Sequence, residues 1–327
     1  MRKMILAAGL ALSLALTGCT PDLEDKFSAW AIGSERARAH LEHKQLSVDG
    51  FNIAYLEGGQ GDTVFLIHGF QSNKDIWVRL ARELTSRYHV IAIDLPAHGE
   101  STILPDRSYT VPEQAKRVMA IMAAMKLEQP VNLMGHSMGG AIAFHVAVMA
   151  PERVKTLALV SSAGVISPTP SELWRLNREG KNPLIVRNEQ DYQAMLDFTM
   201  ADAPWIPGPV IGTLTREAIA RQQIGEKIYR ELDPANSLKA EEALPKIHVP
   251  VLVVWGDKDR VLDVSGAGVF KRYLPQAEVV VFKGVGHAPP IERTGEMAKV
   301  YEGFLGRGVR ADFRSSCRYR LGGQVPA

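Results

Sequence analysis

The sequence predicts an α/β chain: a mostly parallel eight-stranded sheet flanked by helices, with a helical cap inserted after the sixth strand. Three observations carry this. Short apolar runs bounded by turn residues alternate with helix-period patterns, as in strand–helix–strand units. A glycine-rich turn, Gly135-His136-Ser137-Met138-Gly139-Gly140, stands between one such run and the apolar, helix-like stretch Ala141 to Met149. A long insert, 167–245, then breaks the alternation where a cap would cover that turn.

Taken in order, strands are expected around Gln45 and over Phe51 to Tyr55, Thr63 to Ile67, His89 to Ile93 and Val131 to Met134. Further strands are expected over Thr156 to Val160, Val249 to Trp255 and Glu278 to Phe282. Helical periodicity is clearest over Ile76 to Thr85 and Val111 to Met125. The α/β core then spans 44–166 and 246–307, and 19–43 reads as a tether, helical near Glu35 to His43. A chain of 327 residues with 46% apolar and 23% charged residues can bury a large core. Its net charge of +2 is too small to suggest nucleic-acid binding, and residues 308–327 form a basic, solvated tail.

Small residues around Ser137, between strand and helix, fit a sharp turn that lifts the hydroxyl clear of the backbone, with a helix N-terminus aimed at it. A serine hydroxyl needs a base and an orienting acid to act as a nucleophile. In folds using this turn, acid and histidine follow the serine in that order. Past His145 only His248 and His287 remain. His248 leads into a strand and reads as structural, whereas Gly284-Val285-Gly286-His287-Ala288-Pro289-Pro290 describes a rigid loop presenting His287 as the base. The loop after Val249 to Trp255 offers Asp257, Asp259 and Asp263, any of which could reach it. Two N–H groups should stabilise an oxyanion: that of Met138, after the serine, and that of Phe70, in the loop His68-Gly69-Phe70. No metal-ligand cluster or phosphate loop is visible, so no cofactor or metal is expected.

Leu66-Ile67-His68-Gly69-Phe70, Asn73-Lys74-Asp75, Ser137-Met138-Gly139-Gly140, Val254 to Asp259 and Val285-Gly286-His287 resemble the bacterial family V lipases, α/β-hydrolases that include cold-adapted triacylglycerol lipases. Asn182-Pro183-Leu184 and the run Asp191-Tyr192 through Asp197-Phe198 resemble that family's cap, and the likeness extends from about Gln45 to Phe304. It implies a Ser137–Asp259–His287 triad and an ester lipid substrate. Many relatives carry glycine where Ala97 stands in the loop Asp94 to Ser101. Within the cap, Trp174, Phe198, Met200, Trp205 and Ile206 are candidates to line an acyl pocket or, equally, to hold the cap's own small core. The competing readings are carbon–carbon bond hydrolysis, thioester hydrolysis, or a surface lipoprotein that binds lipid without turning it over.

Arg2 and Lys3 precede the apolar stretch Met4 to Leu16, long enough for a signal sequence but short for a membrane span. Leu16-Thr17-Gly18-Cys19 resembles a bacterial lipobox. This implies a signal peptide over 1–18 and an exported lipoprotein anchored through Cys19, facing the periplasm or the cell surface. Thr20, where aspartate would signal retention, favours the outer membrane. Of two cysteines only Cys317 is then left, so no disulfide is expected. Cys317 lies in the basic tail and is no candidate nucleophile.

Overall fold

The computed structural model describes residues 20–308 apart from 234 and 236. The expected signal peptide (1–18), Cys19, Cys317 and the tail from 309 onward lie outside the described residues.

The strands are β1 (Glu42–Val48), β2 (Phe51–Gly58), β3 (Thr63–Ile67), β4 (His89–Ile93), β5 (Val131–His136), β6 (Val154–Val160), β7 (Val251–Gly256) and β8 (Glu278–Phe282). They form one eight-stranded sheet in the order β1-β2-β4-β3-β5-β6-β7-β8. β1 and β2 pair antiparallel, as do β2 and β4. The pairings from β4 through β3, β5, β6 and β7 to β8 are parallel. Parallel strands covered on both faces read as unbroken apolar runs, and all six residues of β5 are buried.

Neighbouring residues along these strands enter opposite cores, as the two-residue period of a strand requires. Phe65, Leu133 and Val253 join one cluster; Leu66, Met134 and Val254 join the other. The first is covered by α3 (Val111–Ala124), α4 (Met138–Met149) and α10 (Ser265–Tyr273), through Val118, Ile121, Phe144 and Phe270. The second is covered by α2 (Val78–Leu84) and α12 (Thr294–Gly308), through Leu80, Leu84, Tyr301 and Phe304. Each such side chain stabilises the fold by about 1.5–3 kcal/mol relative to exposure.

Between β6 and β7 the described residues form the α-helices α5 (Glu172–Arg178), α6 (Glu189–Thr199), α7 (Gly208–Ala220), α8 (Gln222–Glu231) and the single turn α9 (Ala240–Ala243). Ser171 and Asn188 cap the first two by accepting from Trp174 N and Asp191 N. A further turn, α11 (Pro289–Glu292), precedes α12.

The expected tether is instead a docked helix. α1 (Pro21–Arg38) runs for 18 residues and begins well before Glu35. Pro21 opens it, Asp22 and Glu24 occupy its first turn, and Arg36 and Arg38 its last, each matching the helix dipole. Its hold on the cap is polar: buried Ser28 bonds Thr213 at 2.9 Å, and Arg216 of α7 reaches Glu24 at 2.6 Å. Lacking a continuous apolar stripe, α1 carries little helical periodicity in sequence.

Candidate active site

Parallel pairing aligns the C-terminal ends of the central strands. Ile67 faces Gly135, His136 faces Val160, Val160 faces Val254, and Gly256 faces Phe282. The loops carrying Phe70, Ser137, Asp259 and His287 therefore leave one edge of the sheet, where ligand sites of such sheets form.

Ser137 sits at φ 54° and ψ −119°, a left-handed backbone that a side-chain-bearing residue adopts only when its surroundings enforce it. Val160 accepts its N–H at 2.9 Å, while its carbonyl accepts from Gly140 at 2.9 Å and Ala163 at 3.0 Å. Crowding explains the flanking glycines. A Cβ at Gly135 would stand 2.1 Å from the Gly139 carbonyl oxygen, and one at Gly139 would stand 2.4 Å from those of Ile67 and His68. The Met138 N–H, first in α4, has no acceptor among the described residues.

His287 is buried, and its Nδ1 lies 2.8 Å from Asp259 Oδ2. Asp259 is buried too; its other oxygen accepts from Val261 and Leu262, each at 2.9 Å. The two other carboxylates left open by the sequence are turned elsewhere. Asp257 accepts from Gly284 N at 2.7 Å, and Asp263 from Ser265 N at 2.9 Å.

Two further histidines frame the site, and neither was singled out from sequence as more than a motif residue. Leu95 N donates to His68 Nε2 at 3.0 Å, so the ring proton is on Nδ1, which donates to the Gly69 carbonyl at 2.7 Å. In a trans peptide the N–H points opposite to the C=O. The Phe70 N–H therefore lies on the side of this peptide opposite the carbonyl held by His68, and Ser137 Cβ is 3.0 Å from the Cβ position of Gly69. His136 Nε2 donates to the His287 carbonyl at 2.7 Å, and the two rings are 4.8 Å apart. Burial lowers the pKa of His68 to about 4 and that of His136 to about 3, the latter helped by His287. Both rings are therefore uncharged near neutrality.

Ser137 and His287 open on a cavity of about 620 Å³, whose wall includes Phe70. Of the five cap candidates, Met200, Trp205 and Ile206 line it, and Trp174 and Phe198 do not. Phe198 packs in a separate small cluster with Leu173 and Val261, under the Arg260 guanidinium at 4.5 Å. Trp174 stands half-exposed beneath Arg178 at 4.9 Å. Sequence reasoning missed Phe27, Trp30 and Ala31 of α1, which complete the wall. Aromatic residues in an otherwise polar N-terminal segment were the available signal. The Asp94 to Ser101 loop supports the site from below: Asp94, fully buried, binds Lys74 Nζ at 2.8 Å and Lys74 N at 2.7 Å. Ala97 holds φ 66°, a conformation that glycine adopts without strain.

The model of the alpha/beta hydrolase fold family matches residues 62–196 and 211–294. Lipase 1 of Psychrobacter immobilis is 35% identical over 299 residues, 89% of this chain and 94% of that protein. Lipase 3 of a Moraxella strain is 34% identical, covering 90% and 96%. A crystal structure of a membrane phospholipase A, described as a bacterial virulence factor, superposes with a TM-score of 0.87 at 40% identity, over 95% of this chain and all of that one. The chain belongs to the α/β hydrolase fold family and stands among its lipases.

Proposed function

We propose that this protein cleaves lipid esters through an acyl-enzyme on Ser137, and that triacylglycerols are among its substrates. The observation that carries the reading is the Asp259–His287 hydrogen bond of 2.8 Å, set on the same cavity that Ser137 lines from a strained backbone. Asp259 occupies Nδ1 of His287, leaving Nε2 to take the Ser137 proton as the hydroxyl attacks the ester carbonyl. The N–H groups of Phe70 and Met138 stabilise the oxyanion, and His287 then protonates the leaving alcohol. Water activated by the same histidine releases the acid. The names of the similar proteins, lipases and a phospholipase, agree with a lipid ester.

The anchoring reading goes with it: export as a lipoprotein held through Cys19, in the outer membrane. Its support is the lipobox-like run before α1 and the apolar groups at the cavity mouth. Phe27, Trp30 and Trp205 are 39%, 65% and 82% exposed, a rim suited to a lipid surface. Cys19→Ser should abolish labelling by radioactive fatty acid and move the protein from the membrane to the soluble fraction. Unchanged fractionation would refute the anchor.

The decisive test of the chemistry is hydrolysis of p-nitrophenyl esters from acetate to palmitate, with Ser137→Ala as control. Serine-dependent turnover favouring long chains supports a lipase, and the variant should lose about a thousandfold or more in kcat. A peak at acetate would make the protein a short-chain esterase. No serine-dependent turnover across the series would shift the reading to carbon–carbon bond hydrolysis or to lipid binding alone.

A further inference from the structure

We infer that Glu292 is a positioning residue that fastens the cap to the loop bearing His287, so that cap seating and base orientation are set together. The inference rests on the reading of His287 as the general base. Glu292 ends α11 and is buried. Its Oε2 accepts from Ala201 N at 2.8 Å, Asp202 N at 3.0 Å and Gly286 N at 3.0 Å. Its Oε1 accepts from Gly286 N at 3.0 Å and Ala288 N at 3.2 Å. One carboxylate thereby collects the N–H groups of the residues on either side of His287 and of the cap turn following α6. Among the described residues no cation pairs with it.

Three further contacts belong to the same junction. His287 donates its own N–H to the Thr199 carbonyl at 2.7 Å. Arg293 bonds Asp202 at 2.7 Å on the outside. A Cβ at Gly286 would lie 2.7 Å from both Ala201 N and the Thr199 carbonyl oxygen, so glycine there admits the cap backbone. Met200, part of the cavity wall, stands between the two anchored cap residues Thr199 and Ala201. An acyl chain pressing on Met200 therefore presses on the frame that holds the base.

The residue type matters chemically. Two charged oxygens with four lone-pair directions can serve four N–H donors. Glutamine offers one acceptor oxygen and sets an NH₂ against N–H groups, and alanine offers nothing.

The test uses the full chain with active sites titrated by a fluorophosphonate, comparing Glu292→Gln and Glu292→Ala with wild type on p-nitrophenyl butyrate. Turnover per titrated site should fall by about 10–100-fold, as when a group orienting a reactive side chain is removed, with KM changed by less than about threefold and alanine worse than glutamine. A role confined to stability would instead lower Tm and leave turnover per site within about twofold of wild type, which would overturn the inference. Should both variants fail to fold, hydrogen exchange of the wild-type protein decides. Amides of Ala201, Asp202, Gly286 and Ala288 should share one protection level. Exchange about tenfold or more faster at 201 and 202 than at 286 and 288 would mean that cap and base open independently. Retained turnover in Ser137→Ala, run alongside, would remove the triad reading itself, whatever Glu292 does.

Discussion

Arg36, near the end of the N-terminal helix, grips Asp75 with two parallel bonds: Nε to Oδ1 at 2.6 Å and Nη2 to Oδ2 at 2.7 Å. Asp75 adjoins Lys74, whose ammonium is buried against Asp94 beneath the loop carrying Phe70. A helix from one end of the chain is thereby tied to the segment that follows Phe70, and the cavity acquires its outer wall.

Arg36→Ala should reduce stability by about 1–3 kcal/mol, because it strands a largely buried carboxylate. Burial works to lower the arginine's pKa, but the bonds to Asp75 and Glu100 outweigh it and raise it, so the guanidinium stays charged. Urea unfolding of the variant measures the loss. No change in the midpoint would show the pair to be energetically idle.

His68→Ala should slow turnover by about tenfold or more while sparing KM, since the Gly69 carbonyl loses its donor and the Phe70 N–H its aim. Steady-state kinetics on p-nitrophenyl butyrate tests this. A rise in KM at constant kcat would instead place His68 in substrate binding.

Trp205→Ala and Trp30→Ala should lower activity on palmitate several-fold relative to acetate, with Tm almost unmoved because both rings are largely exposed. The ratio of the two ester activities is the readout. Equal losses on both esters would mean that the rim does not meet the acyl chain.

Acid should destabilise the fold between about pH 6.5 and pH 4. Burial lowers the pKa of His68 and His145 to about 4 and of His98 and His136 to about 3. The unfolded chain, with ordinary values near 6.5, binds more protons than the folded one across this window. Stability is therefore fully present above about pH 6.5 and falls as pH drops, by at most about 1.4 kcal/mol per pH unit for each ring. Melting curves at a series of pH values would show it; a Tm constant from pH 7 to 5 would contradict it.

Much of the site was legible in the chain. The elbow Gly135 to Gly140, the proposed base His287 and the loop His68 to Phe70 each sit on a local pattern: a strand end, a glycine-enforced turn, a helix start. The acid was narrowed to three carboxylates by position, and the family resemblance pointed to Asp259. The structure separates them by one contact: Asp259 keeps Oδ2 on His287 while Val261 and Leu262 hold its Oδ1, whereas Asp257 and Asp263 accept from Gly284 and Ser265.

The cap and the N-terminal helix were another matter. Trp174 and Phe198 look as suited to an acyl pocket as Met200, Trp205 and Ile206, because apolarity does not tell which way a helix faces. α1 resembled a tether because its attachment is made of Ser28, Glu24 and Arg36, polar residues that read as solvent-facing until their partners are known. The sequence by itself determined the strand succession and the sharp turn at Ser137, and it singled out His287 as the candidate base, all from local periodicity and glycine placement. Only the tertiary structure decided which carboxylate meets His287, what walls the cavity, and that Glu292 bonds both the cap turn and the loop bearing His287. Each of these depends on contacts between segments distant in the chain, and local propensity carries no record of them.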